Sequence, residues 1–379
     1  MKIAYVSEND SSDIQNWSGL DYFIKYSLSI QEGVEIITID KLTNNFRKWL
    51  RIKKLFYNIT GRRYQAIREP RLLKDYARQI SERLPQDIDC IFAPSSMPIA
   101  YLESNIPVFF YTDAGFDEMI DYYPAYVNLF NETLKNGFLA EKRALENVKI
   151  AFYASDWAKE AAIKHYNIPP DKIKTVPFGA NIFKELSETT IQENIAARST
   201  TEFNLLFIGV DFIRKGGNLA FELAEKLNQN GIKTTLHIVG IPNLPAKYRK
   251  DFVKNYGYVN KGQNEGKAIF DKLFSDSHFL IVPSEAEAYG LVYCEANAHG
   301  IPAIGTITGG IPTIIKNDVN GWIFEKEEFI ENTYNKIKNT IERPDLYKKL
   351  AKTSFDEYKN RLNWRVSGKK LINFIKSAL

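Results

Sequence analysis

The chain is poor in cysteine and lacks any long apolar run. Only Cys90 and Cys294 occur among 379 residues, each beside apolar neighbours, so we expect buried free thiols in a reducing compartment. Two cysteines cannot form a metal site by themselves. No apolar stretch approaches the roughly 20 residues that a membrane-spanning helix needs. Because no charged and apolar leader is visible either, we expect a cytoplasmic protein, with a place at the inner face of the membrane considered below.

Low-complexity segments, obvious internal repeats and a complete Gly-x-Gly-x-x-Gly pattern are also absent. The missing glycine pattern counts against a dinucleotide-dependent dehydrogenase. With 44% hydrophobic and 25% charged residues and a net charge of +4, the composition is that of an ordinary globular protein, and the length allows two domains. Apolar strands alternate with amphipathic helices, which predicts a mainly parallel sheet in each half.

The most informative segment runs from Pro283 to Pro302. The apolar residues 279–282 predict a strand, Pro283 and Ser284 end it, and Gly290 opens a helical pattern that Gly300 and Pro302 terminate. At the start of that helix the amides of Gly290, Leu291 and Val292 lack intrahelical partners, and the helix dipole adds positive charge, which suits a phosphate.

Two carboxylates flank this helix start, Glu287 in the loop and Glu295 in the helix, eight residues apart. Carboxylates repel phosphate but accept hydrogen bonds strongly from hydroxyl groups. A ligand that carries both phosphates and hydroxyls is a nucleotide sugar. The alternative for an isolated pair is a solvated loop glutamate and a surface helix glutamate.

This segment resembles the Glu-x7-Glu motif of retaining glycosyltransferases with the GT-B architecture, especially glycosyltransferase family 4. The resemblance implies an α/β protein with two Rossmann-like doubly wound domains facing a cleft. It places an acceptor-binding domain at 1–180, a donor-binding domain at 181–359, and a carboxy-terminal helix of about 360–379 that crosses back to the first domain. It also implies that Glu287 faces the donor sugar and that Glu295 holds the ribose.

A second match is the strand ending at Gly209 followed by Arg214 and Lys215. Two cations at the end of such a loop can neutralise a diphosphate leaving group. The resemblance assigns this work to Lys215, with Arg214 in support, because the family often has an arginine directly after the glycine where this chain has Val210. The alternative is an exposed basic pair at a helix start.

Two further candidates lie in the amino-terminal half. Gly19 stands where the family places a glycine-rich loop against the donor phosphates, although this chain has one glycine where two are common. Asp113 follows a predicted buried strand, where many family 4 members have a histidine that contacts the sugar. Asp113 either accepts hydrogen bonds from sugar hydroxyls or caps the segment that begins at Ala114.

The interpretation is a retaining glycosyltransferase, an enzyme of EC class 2.4, with a nucleotide-diphosphate sugar as substrate and no cofactor. Cationic side chains and amides replace a metal ion. The catalytic candidates are Glu287, Lys215, Arg214 and Asp113, and the donor-binding candidates are Gly19, Gly209, Lys215, Glu287, Tyr289, Gly290, Leu291, Val292 and Glu295. The alternatives are a non-catalytic GT-B subunit that assists a partner transferase, and a nucleotide-sugar epimerase.

Other family positions concern specificity. Thr313 stands where the family frequently has a glutamate, so the donor sugar is not named, and backbone contacts around residues 257–261 are expected to select the base. The acceptor is a saccharide, a lipid-linked saccharide or a small molecule, and nothing resembles a nucleic-acid module. Separately, Asn320-Gly321-Trp322 predicts a hairpin turn.

Basic residues are concentrated between Phe46 and Arg83, a segment that contains twelve lysines or arginines and only three acids. Aromatic and aliphatic residues interleave with these cations from Trp49 to Tyr57. Such a segment suits the surface of an anionic membrane, with Lys53 and Lys54 among the contacts. The alternative is a solvated amphipathic helix that happens to be basic.

Overall fold

The computed structural model describes residues 1–379, apart from the side chain of residue 58. The chain divides into two compact units. The first comprises Met1–Phe178 with Trp364–Leu379, and the second is Gly179–Asn363. Each unit contains one six-stranded sheet in which every pair of strands is parallel, so the predicted pair of parallel sheets is confirmed.

The sheet of the first unit has the strand order β2-β1-β3-β4-β5-β6. Its central strands are short runs of apolar residues, such as the buried sequence VFFYT of β4, because helices cover both faces of a parallel sheet. The strands are β1 (Lys2–Val6), β2 (Glu35–Ile39), β3 (Cys90–Ala93), β4 (Val108–Thr112), β5 (Ile150–Tyr153) and β6 (Ile173–Thr175).

Seven α-helices belong to the first unit: α1 (Leu20–Ser29), α2 (Arg47–Asn58), α3 (Pro70–Arg83), α4 (Phe116–Met119), α5 (Asn131–Asn147), α6 (Asp156–Tyr166) and the last helix of the chain, α14 (Trp364–Ala378). The predicted return of the carboxy-terminal helix to the first unit is confirmed, since α14 packs on α1. The ring of Trp364 stacks on Phe23, and a Cβ added at Gly368 would lie 2.0 Å from the carbonyl oxygen of Ser27.

The sheet of the second unit has the order β12-β11-β10-β7-β8-β9. Its strands are β7 (Phe203–Ile208), β8 (Thr234–Val239), β9 (Val253–Asn255), β10 (Phe279–Ile281), β11 (Ala303–Thr306) and β12 (Gly321–Phe324). Its helices are α7 (Glu188–Ala197), α8 (Gly217–Gln229), α9 (Asn264–Asp276), α10 (Leu291–Ala298), α11 (Ile311–Ile314), α12 (Phe329–Ile341) and α13 (Pro344–Asn360).

The predicted hairpin at residues 320–322 is wrong. Gly321 and Trp322 begin β12, which pairs with β11 in parallel, Gly321 opposite Ala303. A Cβ at Gly321 would lie 1.8 Å from the carbonyl oxygen of Ala303, and its φ is 151°. The glycine therefore permits close approach of two parallel strands, a requirement that a local Asn-Gly pattern does not reveal.

The structure also describes the state of the two cysteines and the character of the helices. Cys90 and Cys294 are both buried free thiols, and burial raises the pKa of each to about 12. Among the described residues, none of the helices combines the length and the apolar character that crossing a membrane requires.

Candidate functional site

The site in the second unit begins at the loop between β7 and α8. Gly216 ends this loop as the N-cap residue of α8, in the left-handed region at φ 72°. A Cβ there would lie 1.9 Å from the carbonyl oxygen of Pro283, so the loop packs directly on the backbone that follows β10. A Cβ at Gly209 would lie 2.8 Å from Cγ of Lys215. Both glycines therefore hold Lys215 close to the ends of the strands.

The loop after β10 carries Glu287 and leads into α10. The Tyr293 hydroxyl donates to the carbonyl of Val282 at 2.5 Å, and the Thr306 hydroxyl donates to the carbonyl of Ser284 at 2.5 Å. These bonds tie the start of the loop to buried side chains of α10 and β11. Gly290 is the N-cap residue of α10 at φ 103°, a conformation that glycine adopts at no steric cost.

Lys215 and Glu287 form an ion pair inside this arrangement. The Lys215 ammonium donates to Oε2 of Glu287, and the two side chains are only 14% and 10% exposed. The Ser284 hydroxyl lies 3.4 Å from the same carboxylate oxygen. The structure thus brings together the two residues to which the sequence assigns the phosphate and the sugar, with their opposite charges in contact.

Arg214, the predicted supporting cation, bridges to the loop that carries Glu287. Its guanidinium donates to the carbonyl of Ala286 at 2.9 Å, and its own carbonyl accepts the amide of Glu285 at 2.8 Å. Asp211, in the loop between β7 and α8, accepts the backbone amide of Arg214 at 3.1 Å. These contacts position the glutamate loop, while the predicted role of Arg214 in catalysis stays a prediction.

Glu295, in α10, is buried and has a cationic partner of its own. The ammonium of Lys261 donates to its Oε2 at 2.5 Å. Lys261 lies before α9, and its Nζ is 4.7 Å from the ring centroid of Phe270. The sequence analysis missed this side chain, because it expected backbone contacts around residues 257–261. A lysine in a loop gives no sequence pattern that predicts its partner, because the contact with the carboxylate forms only in the folded chain.

The start of α10 lies between the two glutamates along the chain. Gly290, Leu291 and Val292 form its N-cap and first turn, whose amides have no carbonyl one turn earlier inside the helix. The helix dipole adds roughly half a positive charge at this end. Tyr289, the remaining donor candidate, is buried just before it. A phosphate at this helix start would meet amides and, from the loop between β7 and α8, a lysine.

No imidazole is charged near neutral pH in the core of this unit. Burial lowers the pKa of His237, His278 and His299 to about 4 each. The ring of His278 accepts the amide of Asn204 at 3.0 Å, with the carbonyl of Ser199 2.8 Å from its other nitrogen, as a neutral tautomer allows. These histidines are structural, so the polar chemistry of the site rests on lysines, glutamates and amides.

Two of the sequence candidates, Gly19 and Asp113, belong to the first unit. Gly19 is the N-cap residue of α1 at φ 81°, and it follows Trp17 and Ser18, which also have positive φ values of 46° and 55°. Asp113 is half-buried directly after β4. The helix that follows, α4, begins at Phe116 with Gly115 as its N-cap residue, and both predicted roles of Asp113 stay predictions.

The first unit also contains a buried acidic cluster, made of Asp117, Glu118 and Glu141 around Gly115. A Cβ at Gly115 would lie 2.7 Å from Oε2 of Glu118 and 3.5 Å from Oε1 of Glu141. Burial, and to a smaller extent the charge of Glu141, raise the pKa of Glu118 to about 8. The Ser96 hydroxyl donates to Glu141 at 2.7 Å. The sequence gives no sign of this cluster, because acids in helical segments are usually solvated.

Known proteins share both the sequence pattern and the fold. Residues 188–356 match the family model described as "Glycosyl transferases group 1". An uncharacterized glycosyltransferase of Methanocaldococcus jannaschii is 26% identical over 226 residues, which cover 53% of this chain and 57% of that protein. The chain spans about half the length of the curated relatives it matches.

Among solved structures, sucrose-phosphate synthase from Thermosynechococcus elongatus has a TM-score of 0.68 at 15% identity, covering 100% of this chain and 98% of that one. The Anabaena HepE protein in complex with UDP and glucose has a TM-score of 0.63 at 16% identity and full coverage of both chains.

The two parallel six-stranded sheets and these structural neighbours show that the chain has the GT-B architecture. In sequence, residues 188–356 of the second unit match the Glycosyl transferases group 1 family model. The suspected resemblance to that broader group is confirmed.

Proposed function

We propose that this chain is a retaining glycosyltransferase of the family 4 type, which moves a sugar from a nucleotide-diphosphate sugar to a saccharide, lipid-linked or small-molecule acceptor. The observation that carries the proposal is the pair of lysine–glutamate contacts on either side of the start of α10, Lys215 with Glu287 and Lys261 with Glu295. Both carboxylates are buried, and each is balanced by a cation that a ligand phosphate can attract instead.

The donor diphosphate would exchange these partners. Lys215 and the amides at the start of α10 would bind its oxygens, which would release Glu287 from its ion pair. The freed carboxylate then accepts hydrogen bonds from hydroxyl groups of the sugar, while Glu295 accepts those of the ribose. The HepE neighbour with bound UDP and glucose supports a nucleotide-sugar donor for this chain.

The same groups would act when the bond between sugar and phosphate breaks. Negative charge then develops on the leaving diphosphate, and preorganised cations and amides stabilise that charge without reorganisation. In this scheme the leaving phosphate helps to deprotonate the acceptor on the same face of the sugar, which gives retention. Asp113 is a further acceptor of sugar hydroxyls in the proposal, and Gly19 permits backbone approach to the phosphates.

The first test is a thermal-shift screen of the folded protein against nucleoside diphosphates and their sugars. Because a ligand that binds only the native state stabilises it, one base should raise the melting temperature clearly more than the others. With that donor, a product that forms only when an acceptor is present, and that keeps the anomeric configuration by NMR, supports the transferase.

Other results assign the protein elsewhere. A folded protein that responds to none of the nucleotides would favour the non-catalytic subunit. Conversion of the donor to a changed nucleotide sugar without any acceptor would favour the epimerase. Peripheral association with an anionic membrane is a separate part of the proposal, because the transfer of sugar does not depend on it.

A further inference from the structure

Helix α2 carries two apolar stripes, although a surface helix needs only one to pack against its domain. The inward stripe has the spacing i, i+3, i+4, i+7 and i+11 and consists of Phe46, just before the helix, and Trp49, Leu50, Lys53 and Tyr57. Leu50 is buried in the core of the first unit, and the aromatic rings of this stripe pack against that core.

The inward stripe is fixed by polar contacts as well. The ammonium of Lys53 lies 2.7 Å from Glu69 and 2.6 Å from Glu132, and 4.9 Å from the ring centroid of Trp49. The Tyr57 hydroxyl donates to the same Glu132. The expectation that Lys53 meets an external surface is therefore wrong, because this lysine anchors the helix from within.

The outward stripe consists of Ile52, Leu55, Phe56 and Ile59, again with the spacing i, i+3, i+4 and i+7. These side chains are 68%, 62%, 66% and 84% exposed, respectively. Because the inward contacts fix the rotation of the helix about its axis, this second stripe cannot turn toward the core. Four large apolar side chains thus lie side by side on the surface, a contiguous patch of a kind that marks an interaction site.

Cations border this patch. Arg47, Arg51 and Lys54 follow the spacing i, i+4 and i+7 along one side of it, and Lys48 lies within it. All four are exposed, and the ion pairs formed by the described side chains involve none of them. In contrast to Lys53, these cations are available to an external partner of opposite charge.

We propose that α2 docks on an anionic lipid surface, with its outward apolar stripe in the interface and its four exposed cations against the headgroups. Lipid suits a convex helix face better than a protein does, because acyl chains adapt to protruding side chains whereas a protein needs a preformed groove. Long lysine and arginine side chains reach from such a helix to the phosphate layer. This binding is independent of the proposed transfer of sugar, although it would bring a lipid-linked acceptor within reach.

The test is sedimentation of the full chain with vesicles of phosphatidylcholine, with and without phosphatidylglycerol. Binding should require phosphatidylglycerol and weaken at high salt. The double change Arg51→Gln with Lys54→Gln should weaken binding about 30-fold, since each cation near such a surface contributes about a fivefold factor. Leu55→Ser with Phe56→Ser should weaken it at least about tenfold.

Matched controls come from α13, where Leu346, Lys348 and Lys349 are likewise exposed. Leu346→Ser, and Lys348→Gln with Lys349→Gln, should leave vesicle binding within about twofold of the unchanged protein, as expected for residues that do not belong to the patch. An equal loss in these controls, or equal binding to pure phosphatidylcholine, would overturn the proposal.

Two further readouts separate the alternatives. If the unchanged protein is a dimer that ignores vesicles, and Phe56→Ser makes it a monomer, a second copy covers the stripe and the lipid proposal is wrong. The thermal shift with the preferred nucleotide should be the same in every α2 variant, so failure of membrane binding and failure of donor binding are seen separately.

Discussion

The two units share a parallel six-stranded sheet but differ in the titratable groups that they bury. In the second unit, two glutamates each contact a lysine, Glu287 with Lys215 and Glu295 with Lys261. In the first unit, Glu118 lies in the buried acidic cluster, and burial raises its pKa to about 8. The second unit holds two buried carboxylates that are paired with lysines, and the first unit, beside its own pair of Lys53 and Glu69, holds a carboxyl that is neutral at neutral pH.

The histidines and carboxyls extend this contrast to stability. The second unit buries neutral histidines with lowered pKa values, whereas the first buries carboxyls with raised ones, Glu8 at about 7 and Glu118 at about 8. A buried neutral base resists protonation and a buried neutral acid resists ionisation. The second unit should therefore be sensitive to acid and the first to base.

The largest expected effect concerns the exchangeable charges of the second unit. Lys215→Met should lower turnover about 100- to 1000-fold, the range for removal of one preorganised group that stabilises developing charge. Steady-state kinetics with the identified donor and acceptor measure it. Lys226→Met, which removes a partly exposed lysine of α8 paired with Glu331, should keep nearly full turnover. Full activity in Lys215→Met would remove this residue from the mechanism.

Glu295→Gln should act on binding instead. Loss of a charged acceptor for the ribose hydroxyls should weaken the donor about 10- to 100-fold with a smaller change in turnover. Isothermal titration with the nucleoside diphosphate measures the affinity. The control is Glu285→Gln, which removes a glutamate that is paired with Lys326 on the surface. Equal affinities for both variants would contradict the assignment of Glu295.

Glu118→Gln tests the first unit. The native carboxyl holds its proton up to about pH 8 and the unfolded one only to about 4.5, so the folded state binds the extra proton between these values. Each such group lowers the free energy of unfolding by about 1.4 kcal/mol per pH unit as the pH rises through this window. Glu118→Gln should flatten that slope in denaturant titrations.

The exposed Glu103 provides the matched control for this measurement. Glu103→Gln should keep the slope of the unchanged protein, because this side chain lies on the exposed surface and not in the buried acidic cluster. The comparison between the units would fail if Glu118→Gln also kept the pH dependence of the free energy of unfolding that the unchanged protein has.

The histidines make the most local prediction, because all three lie in the second unit. Their folded pKa values near 4 lie below the ordinary 6.5, so the stability they contribute is present above pH 6.5 and is lost as the pH falls through 4. Hydrogen exchange, corrected for its intrinsic pH dependence, should show weaker protection in the second unit near pH 5 and in the first unit near pH 8.5. Parallel changes in both units would contradict the contrast.

Much of the fold could be predicted from the sequence because it depends on local patterns. Buried apolar runs such as β4 and the glycine start of α10 are readable from neighbouring residues. The motif from Pro283 to Pro302 likewise predicted a strand, a loop and a helix, and α10 does begin at Leu291 with Gly290 as its N-cap residue.

The remainder depended on contacts between residues distant in the chain. Lys261 contacts Glu295 only in the folded unit. Lys53 points inward because it binds Glu132, a residue 79 positions further along the chain. The sequence pattern around Gly321 predicted a hairpin turn. A local pattern cannot show that the carbonyl of Ala303 excludes a side chain at position 321. The orientation of α2, with one apolar stripe in and one out, likewise required the structure.

The close approach of Gly216 to Pro283 has a mechanical consequence. With a carbonyl oxygen only 1.9 Å from where a Cβ would stand, the two backbones touch without any side chain between them to act as a flexible spacer. The segments that bear Lys215 and Glu287 should therefore shift as a single rigid piece. Substrate entry would then separate the tips of these two side chains while the framework beneath them stays still.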